Sequence, residues 1–222
     1  MALGLSMAMS LGLLVVRFAA TGHFGYRFLV WNLFLAAVPF PLAIAAEQFV
    51  HTHHSFLALP FLVGWLLFLP NAPYLVTDIL HLRETNVPLW YDTLLYGSFA
   101  VTGMLLCIGS LALVHLAVQR RVGIAAGWVV ALSSLMLSGF GVYLGRVERW
   151  NSWNFWQTPK ALARSVVAPL QNPLSNTRTI GFTAIYGTFL CVSYLAVAAI
   201  AAVMRELPAA MRMPGGNGPV EL

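Results

Sequence analysis

Long apolar segments separated by short polar gaps are the dominant feature of this sequence of 222 residues. A helix needs about 20 mostly apolar residues to cross the hydrocarbon core of a bilayer. Six segments fit such a role, at about 2–20, 28–50, 56–69, 94–118, 123–144 and 180–204. Because lipid cannot satisfy exposed backbone polar groups, segments of this kind fold as helices. The sequence therefore predicts an all-α, polytopic membrane protein with about six transmembrane helices.

The composition excludes the main classes of water-soluble protein. Only 9% of the residues are charged and 59% are hydrophobic, whereas roughly 25% of the residues in a soluble domain are charged. A soluble enzyme and a disordered chain are therefore excluded. The formal net charge is +5, but the basic residues lie in gaps between apolar segments, where they set orientation or contact headgroups. No basic stripe with interleaved aromatic residues indicates a nucleic-acid partner.

We expect one integral membrane domain over residues 1–206 and a flexible tail over residues 207–222, because the tail is rich in Pro and Gly. The first apolar segment lacks the positive start of a signal peptide, so we expect it to remain as a span. Arg17 lies near its end and is expected to reach out to the membrane interface. After the fifth segment, residues 160–167 predict a short amphipathic helix lying on the membrane surface.

The third apolar segment is short and ends in Pro70-Asn-Ala-Pro73. Each proline lacks an N–H group and disfavours the helical conformation in the residue before it. The sequence therefore predicts a broken third helix, with Pro73 in the first turn of a second piece and Asn71 as its N-cap. A short hydrophobic segment interrupted by proline often marks a binding site in a membrane protein.

Tyr74, Asp78 and His81 share one face of the helix predicted to begin at Pro73. An Asp and a His three residues apart can bind one divalent metal ion, or can act together as an acid–base pair. The alternative is a polar surface helix that carries a hydrogen-bonded histidine. No motif signals a cofactor, so the cofactor stays unknown; a metal ion, if there is one, is expected at Asp78 and His81.

The end of the fifth segment carries a second group of polar residues. Arg146 and Arg149 are three residues apart with Glu148 between them, and paired guanidinium groups suit phosphate or carboxylate. The alternative is that these residues are interfacial anchors beside an aromatic belt. The preceding turns carry small residues at helical spacing, which let another helix approach closely; these are Ser134, Ser138, Gly141 and Gly145.

With six spans, both groups lie on the same side of the membrane, and they are joined there by residues from two other segments. The catalytic candidates are Asp78, His81, Asp92 and Glu148, and the anion-binding candidates are Arg146 and Arg149. The supporting residues are Asn32, Asn71, Tyr74, Trp90, Tyr91, Trp150, Asn151 and Trp153. A cluster of Glu47, His51, His53 and His54 falls on the opposite side. We interpret that cluster as a solvated loop rather than a metal site.

The motifs Pro70–Asp78, Gly139–Arg146 and Arg149–Trp153 resemble a family of bacterial multi-pass membrane proteins of unknown function, the DUF1361 family. Trp31-Asn32 and Trp90-Tyr91-Asp92 also fit its pattern, and the resemblance extends from about residue 28 to residue 200. It implies a protein of the bacterial cytoplasmic membrane. It implies no activity, substrate or catalytic residue.

The leading functional hypothesis is a membrane-embedded polar pocket that binds or processes an anionic or lipid-linked small molecule. The alternative is a non-catalytic accessory or assembly subunit of a larger membrane complex, and the third is a small transporter. Whether the protein is an enzyme stays open. The expected partners are the bilayer, a lipid or lipid-phosphate ligand, or other membrane subunits. Lys and Arg are more frequent on the side of the predicted pocket, which favours placing both termini outside.

Overall fold

A computed structural model describes residues 1–23, 25–52, 55–82, 87–150 and 157–210, and this part of the chain is helical. The α-helices are α1 (Ala2–Thr21), α2 (Arg27–Ala37), α3 (Pro39–His51), α4 (Ser55–Phe68), α5 (Asn71–Thr77), α6 (Leu89–Val122), α7 (Ile124–Arg146), α8 (Pro159–Gln171) and α9 (Thr177–Ala210). Short 3-10 turns follow α5 and α8, over Asp78–His81 and Pro173–Ser175.

Six helical stretches are long and apolar enough to cross a membrane, and they confirm the predicted fold class. They are Ala2–Thr21, Arg27–His51, Phe56–His81, Leu89–Val122, Ile124–Arg146 and Thr177–Glu206. The fourth span, α6, is the central helix and packs against α1, α2, α3, α5 and α7. Its buried side chains Tyr96 and Phe99 belong to the same apolar core as Leu29 and Leu33 of α2 and Leu75 of α5.

The third span is broken as predicted, between α4 and α5, but α5 begins two residues earlier than predicted. Pro70 adopts helical dihedral angles, so α5 begins at Asn71 rather than at Pro73. The predicted role of Asn71 as an N-cap is wrong. Its amide nitrogen instead donates to the carbonyl of Phe68, 3.0 Å away. That carbonyl needs a partner because the N–H group of Ala72 donates to Leu69.

The half-helix α5, with Pro70 before it, packs against glycines of α6 and α7. A Cβ atom on Gly103 of α6 would collide with the carbonyl oxygen of Ala72 in α5. A Cβ atom on Gly141 of α7 would lie 2.5 Å from Cγ of Pro70, and one on Gly145 would touch the Tyr74 ring. Gly141 and Gly145 of the small-residue face predicted on α7 therefore pack against Pro70 and Tyr74.

The first helix is attached to α6 by a polar stripe. The hydroxyls of Ser6 and Ser10 lie 2.6 Å and 3.0 Å from that of Thr102. One turn further, the hydroxyl of Tyr91 donates to the carbonyl of Leu13. In a membrane, hydrogen bonds of this kind help to hold neighbouring helices together, because an apolar side chain gains little by exchanging contact with lipid for contact with another helix. The expectation that Arg17 reaches out to the interface is wrong, since its side chain turns inward and is only 6% exposed.

The segment after the fifth span contains the predicted helix. It is α8, which begins and ends beyond the predicted residues 160–167 and carries exposed Lys160 and Arg164. Its location on the membrane surface stays a prediction. The last helix, α9, continues to Ala210, so the predicted domain border at residue 206 falls inside a helix. Residues 211–222 of the predicted tail lie outside the described part of the chain.

Candidate functional site

The guanidinium group of Arg146, at the end of α7, contacts four side chains of the broken third span. Its Nε donates to Oγ1 of Thr77 at 2.9 Å, and its Nη2 donates to the carboxylate of Asp78. Its Nη1 lies 3.3 Å from Nδ1 of His81. Its central carbon lies 4.3 Å from the centre of the Tyr74 ring, in cation–π geometry. Of the second predicted polar group, Arg146 therefore contacts Tyr74, Asp78 and His81 of the first.

Asp78 is the buried anion of this network. Its side chain is 1% exposed, and besides Arg146 it accepts a hydrogen bond of 2.9 Å from the amide of Asn32 in α2. A buried carboxylate is tolerated only when it is paired and hydrogen-bonded, and two other spans supply those partners here. His81 follows one turn later, 3.9 Å from the carboxylate, and is 46% exposed. The network is thus buried at Asp78 and exposed to its surroundings at His81.

Asp92 belongs to a second buried ion pair at the same end of the bundle. Arg17 donates to its two oxygens at 2.7 Å and 3.1 Å. The hydroxyl of Tyr26 lies 3.3 Å from Asp92, and the Tyr26 ring lies under the Arg17 guanidinium. The structure does not bring Asp92 into contact with Arg146. The aromatic rings of Tyr26 and Tyr96, with centres 5.2 Å apart, lie beside this second pair.

Glu148 and Arg149 lie just after α7, and both are exposed. Glu148 accepts a hydrogen bond of 2.8 Å from the indole of Trp150. Arg149 has a φ of 59°, in the left-handed region, and it is the sole non-glycine residue with positive φ in the described ranges. A left-handed residue commonly ends a helix, but glycine usually occupies that position.

The remaining supporting residues are dispersed. Asn71 is used within the helix break, and the Tyr91 hydroxyl holds α1. Trp90 is 67% exposed at the start of α6. Asn151 and Trp153 lie outside the described residues, as do His53 and His54 of the predicted histidine loop. Glu47 and His51 lie in the last turns of α3 rather than in the predicted loop. Glu47 pairs with Arg120, and His51 lies beside them at the opposite end of the bundle.

Sequence reasoning missed two participants, namely Arg17 and Tyr26, and it assigned no role to Thr77, which lies beside the predicted face of Tyr74, Asp78 and His81. The signal for Arg17 was its charge inside an apolar segment, because a charge at membrane depth usually faces a partner. Thr77 precedes Asp78 and shares its turn, but no pattern distinguishes it from other threonines. Tyr26 lies between two apolar segments, and only packing brings it to Asp92.

The donor set around Asp78 suits a guanidinium better than a metal ion. The carboxylate already accepts hydrogen bonds from Arg146 and Asn32. A divalent ion shared by Asp78 and His81 would have to displace Arg146, which lies against both side chains. Within the described ranges, no three side chains of His, Cys, Asp or Glu are grouped so that they could hold a metal ion.

A family model described as "Protein of unknown function (DUF1361)" matches residues 31–193. No curated protein and no solved structure matches the chain. The matched segment contains Asn32, Asp78, His81 and Arg146, whereas Arg17 and Tyr26 of the second ion pair precede it. The family match covers most of the chain and agrees with the motif resemblance, and the six spans agree with a multi-pass architecture. This chain therefore belongs to the DUF1361 family, as a multi-pass membrane protein of unknown function.

Proposed function

We propose that the Arg146 end of the bundle binds the anionic head of a lipid-linked small molecule, such as its phosphate or carboxylate group. The observation that carries this proposal is the orientation of one guanidinium. Its Nε and Nη2 are held by Thr77 and Asp78, whereas its Nη1 faces His81, which is exposed. A prealigned guanidinium edge binds an oxyanion without further loss of side-chain entropy.

The location supports a ligand with a lipid tail. Arg146 is the last residue of the fifth span and His81 is the last residue of the third span. Both therefore lie where a spanning helix meets the headgroup region. The exposed cations on this side of the bundle favour an anion there; in the described part of the chain they are Arg27, Arg149, Lys160, Arg164 and Arg178.

The backbone of Arg149 gives separate support. A residue with a side chain pays a steric cost in the left-handed region, and glycine pays none. An arginine at this position therefore costs backbone stability that glycine would not, which is typical of residues kept for a function. We assign the Arg149 side chain to the ligand, together with Arg146.

Asp78 acts as a positioning residue in this proposal, and Asp92 has a structural role. Asp78 and Asp92 are buried and each is held by an arginine, so neither reaches a ligand directly. Any acid–base chemistry would fall to His81 and Glu148, because both are exposed. Asn32 completes the positioning set by orienting Asp78.

The test is native mass spectrometry of the full chain in mild detergent, titrated with a polyprenyl phosphate. We expect His81→Ala and Arg149→Gly to weaken binding by about tenfold each, the value of one charge-assisted contact. Arg149→Gly should leave thermal stability equal or higher, because the strained backbone is relieved. This combination separates a binding role from a structural one.

The matched control is Arg205→Gln, which removes an exposed charge on α9 at the opposite end of the bundle. It should bind the polyprenyl phosphate as the wild type does. Equal binding by the wild type, His81→Ala and Arg149→Gly would overturn the proposal. A stoichiometric protein partner without any lipid adduct would instead favour an accessory subunit.

A further inference from the structure

A cleft at the opposite end of the bundle is not used by the proposed function. It lies between the ends of α3 and α6, with a volume of about 180 Å³. Its lining residues are Glu47, Val50, His51, Ala117, Arg120 and Arg121. Pockets for drug-sized ligands are roughly 300–1,000 Å³, so this cleft suits a small chemical group rather than a whole cofactor.

The charges of the cleft are arranged to leave one guanidinium free. Arg120 donates to Glu47 at 3.2 Å, and their side chains are 59% and 25% exposed. That pair orients Arg120 at the mouth of the cleft. Arg121 is exposed, and within the ranges described above the structure gives its side chain no hydrogen bond or ion pair. With two arginines and one glutamate, the cleft holds more positive than negative groups.

We propose that this cleft binds a phosphate group through Arg120, Arg121 and His51. Guanidinium groups bind phosphate oxygens in pairs, and a histidine ring can add an N–H donor. The apolar floor of Val50 and Ala117 favours a phospholipid headgroup as the source, since an acyl chain can follow that surface. Basic clefts between spanning helices are known to hold lipid headgroups in this way. Free phosphate is the other possible source of the same group.

A competing explanation has to be separated from this proposal. Both α3 and α6 end at the cleft, and the C-terminal end of a helix attracts cations. Arg120, Arg121 and His51 could therefore serve only to stabilise these helix ends. A helix-end role predicts a change in stability on removing a cation, whereas phosphate binding predicts a change in ligand affinity.

The experiment is native mass spectrometry of delipidated full-length protein, titrated separately with phosphatidylglycerol, phosphatidylcholine and potassium phosphate. We expect phosphatidylglycerol to bind more tightly than phosphatidylcholine, because the latter has no net charge. Arg121→Gln should weaken phosphatidylglycerol binding by about tenfold. The matched control is Arg205→Gln, which removes an exposed charge at the same end, on α9, and should leave that affinity unchanged.

The phosphate titration distinguishes the two sources. Binding of phosphatidylglycerol alone, with dependence on Arg121, supports the headgroup as the ligand. Binding of inorganic phosphate with the same dependence supports the site and assigns free phosphate to it. Equal phosphatidylglycerol affinity in the wild type and Arg121→Gln overturns the proposal, as does an equal loss in Arg205→Gln.

Discussion

Each of two arginines in this protein is neutralised by one buried aspartate. Arg17 pairs with Asp92 and Arg146 pairs with Asp78, with both carboxylates 1% exposed. A buried ion pair adds little net stability over apolar packing, but removing one partner leaves an unpaired buried charge. The two ion pairs therefore determine how α1 and α7 align with the neighbouring helices, and they add little to total stability.

The energetic coupling between Arg17 and Asp92 can be tested by replacing the two residues singly and together. Arg17→Met and Asp92→Leu should each lower the free energy of unfolding by about 3–5 kcal/mol, because each leaves one buried charge without its partner. The double variant should lose clearly less than the sum of the two. Unfolding in detergent, followed by helical circular dichroism, measures all three.

The exposed Arg120–Glu47 pair provides the comparison. Arg120→Met should change stability by about 0–1 kcal/mol, as is usual for ion pairs at a surface. Additive losses in the Arg17 and Asp92 double variant would contradict an energetic coupling between those two residues.

At the scale of elements, the half-helix α5 carries the site. It holds Tyr74 and Thr77 and leads directly into the turn with Asp78 and His81. Three helices pack against it, namely α2, α6 and α7. In addition, the hydroxyl of Tyr186 in α9 donates to the carbonyl of Pro73 at 2.7 Å. Gly103 of α6 allows the closest of these approaches, because any side chain there would meet the backbone of α5.

Gly103→Ala tests the close contact between α5 and α6. The added methyl group should push α5 away from α6 and lower the free energy of unfolding by about 1–3 kcal/mol, the usual cost of overpacking. Ligand binding at Arg146 should weaken at the same time, since Thr77 and Asp78 move with α5. Thermal unfolding and the polyprenyl phosphate titration measure the two effects.

Gly97→Ala is the matched control, because it lies on the same helix and no neighbouring heavy atom lies within 4 Å of the added carbon. We expect it to be neutral or to stabilise α6 by up to about 1 kcal/mol, since alanine favours the helix. A loss of stability in Gly97→Ala equal to that in Gly103→Ala would show that contact with α5 is not the cause.

At the scale of the whole molecule, positive charge is unequally divided between the two ends. The paired Arg17 and Arg146 are left out of this comparison. The exposed cations at the end of the bundle with the proposed site still outnumber those at the end with the cleft. The described cations at the cleft end are Arg120, Arg121 and Arg205. Because positive loops stay in the cytoplasm, we expect the site to face the cytoplasm and the termini to lie outside.

Labelling of single cysteines in intact cells with a membrane-impermeant maleimide tests this orientation. Thr52→Cys, after α3, should react in intact cells, and Gln171→Cys, at the end of α8, should react only after lysis. Cys107 and Cys191 lie within spans and serve as the background in the parent protein. The reverse pattern of labelling would place the proposed site outside.

Much of the architecture could be predicted from the sequence because it follows from local rules. Hydropathy determines the six spans, and the Pro70 motif determines where the third one breaks. Counting spans then places Asp78, His81 and Arg146 at one end, since each crossing changes the side of the membrane. These properties depend on neighbouring residues alone.

The tertiary structure decided which charges pair. Arg146 meets Asp78 and Arg17 meets Asp92 across separations of 68 and 75 residues, whereas the sequence predicted Arg17 at the membrane interface and left the partner of Arg146 open. The selection depends on helix rotation and on glycine contacts such as that of Gly103 with α5. Side chains far apart in sequence meet only where packing brings their helices into register, and no local pattern records that.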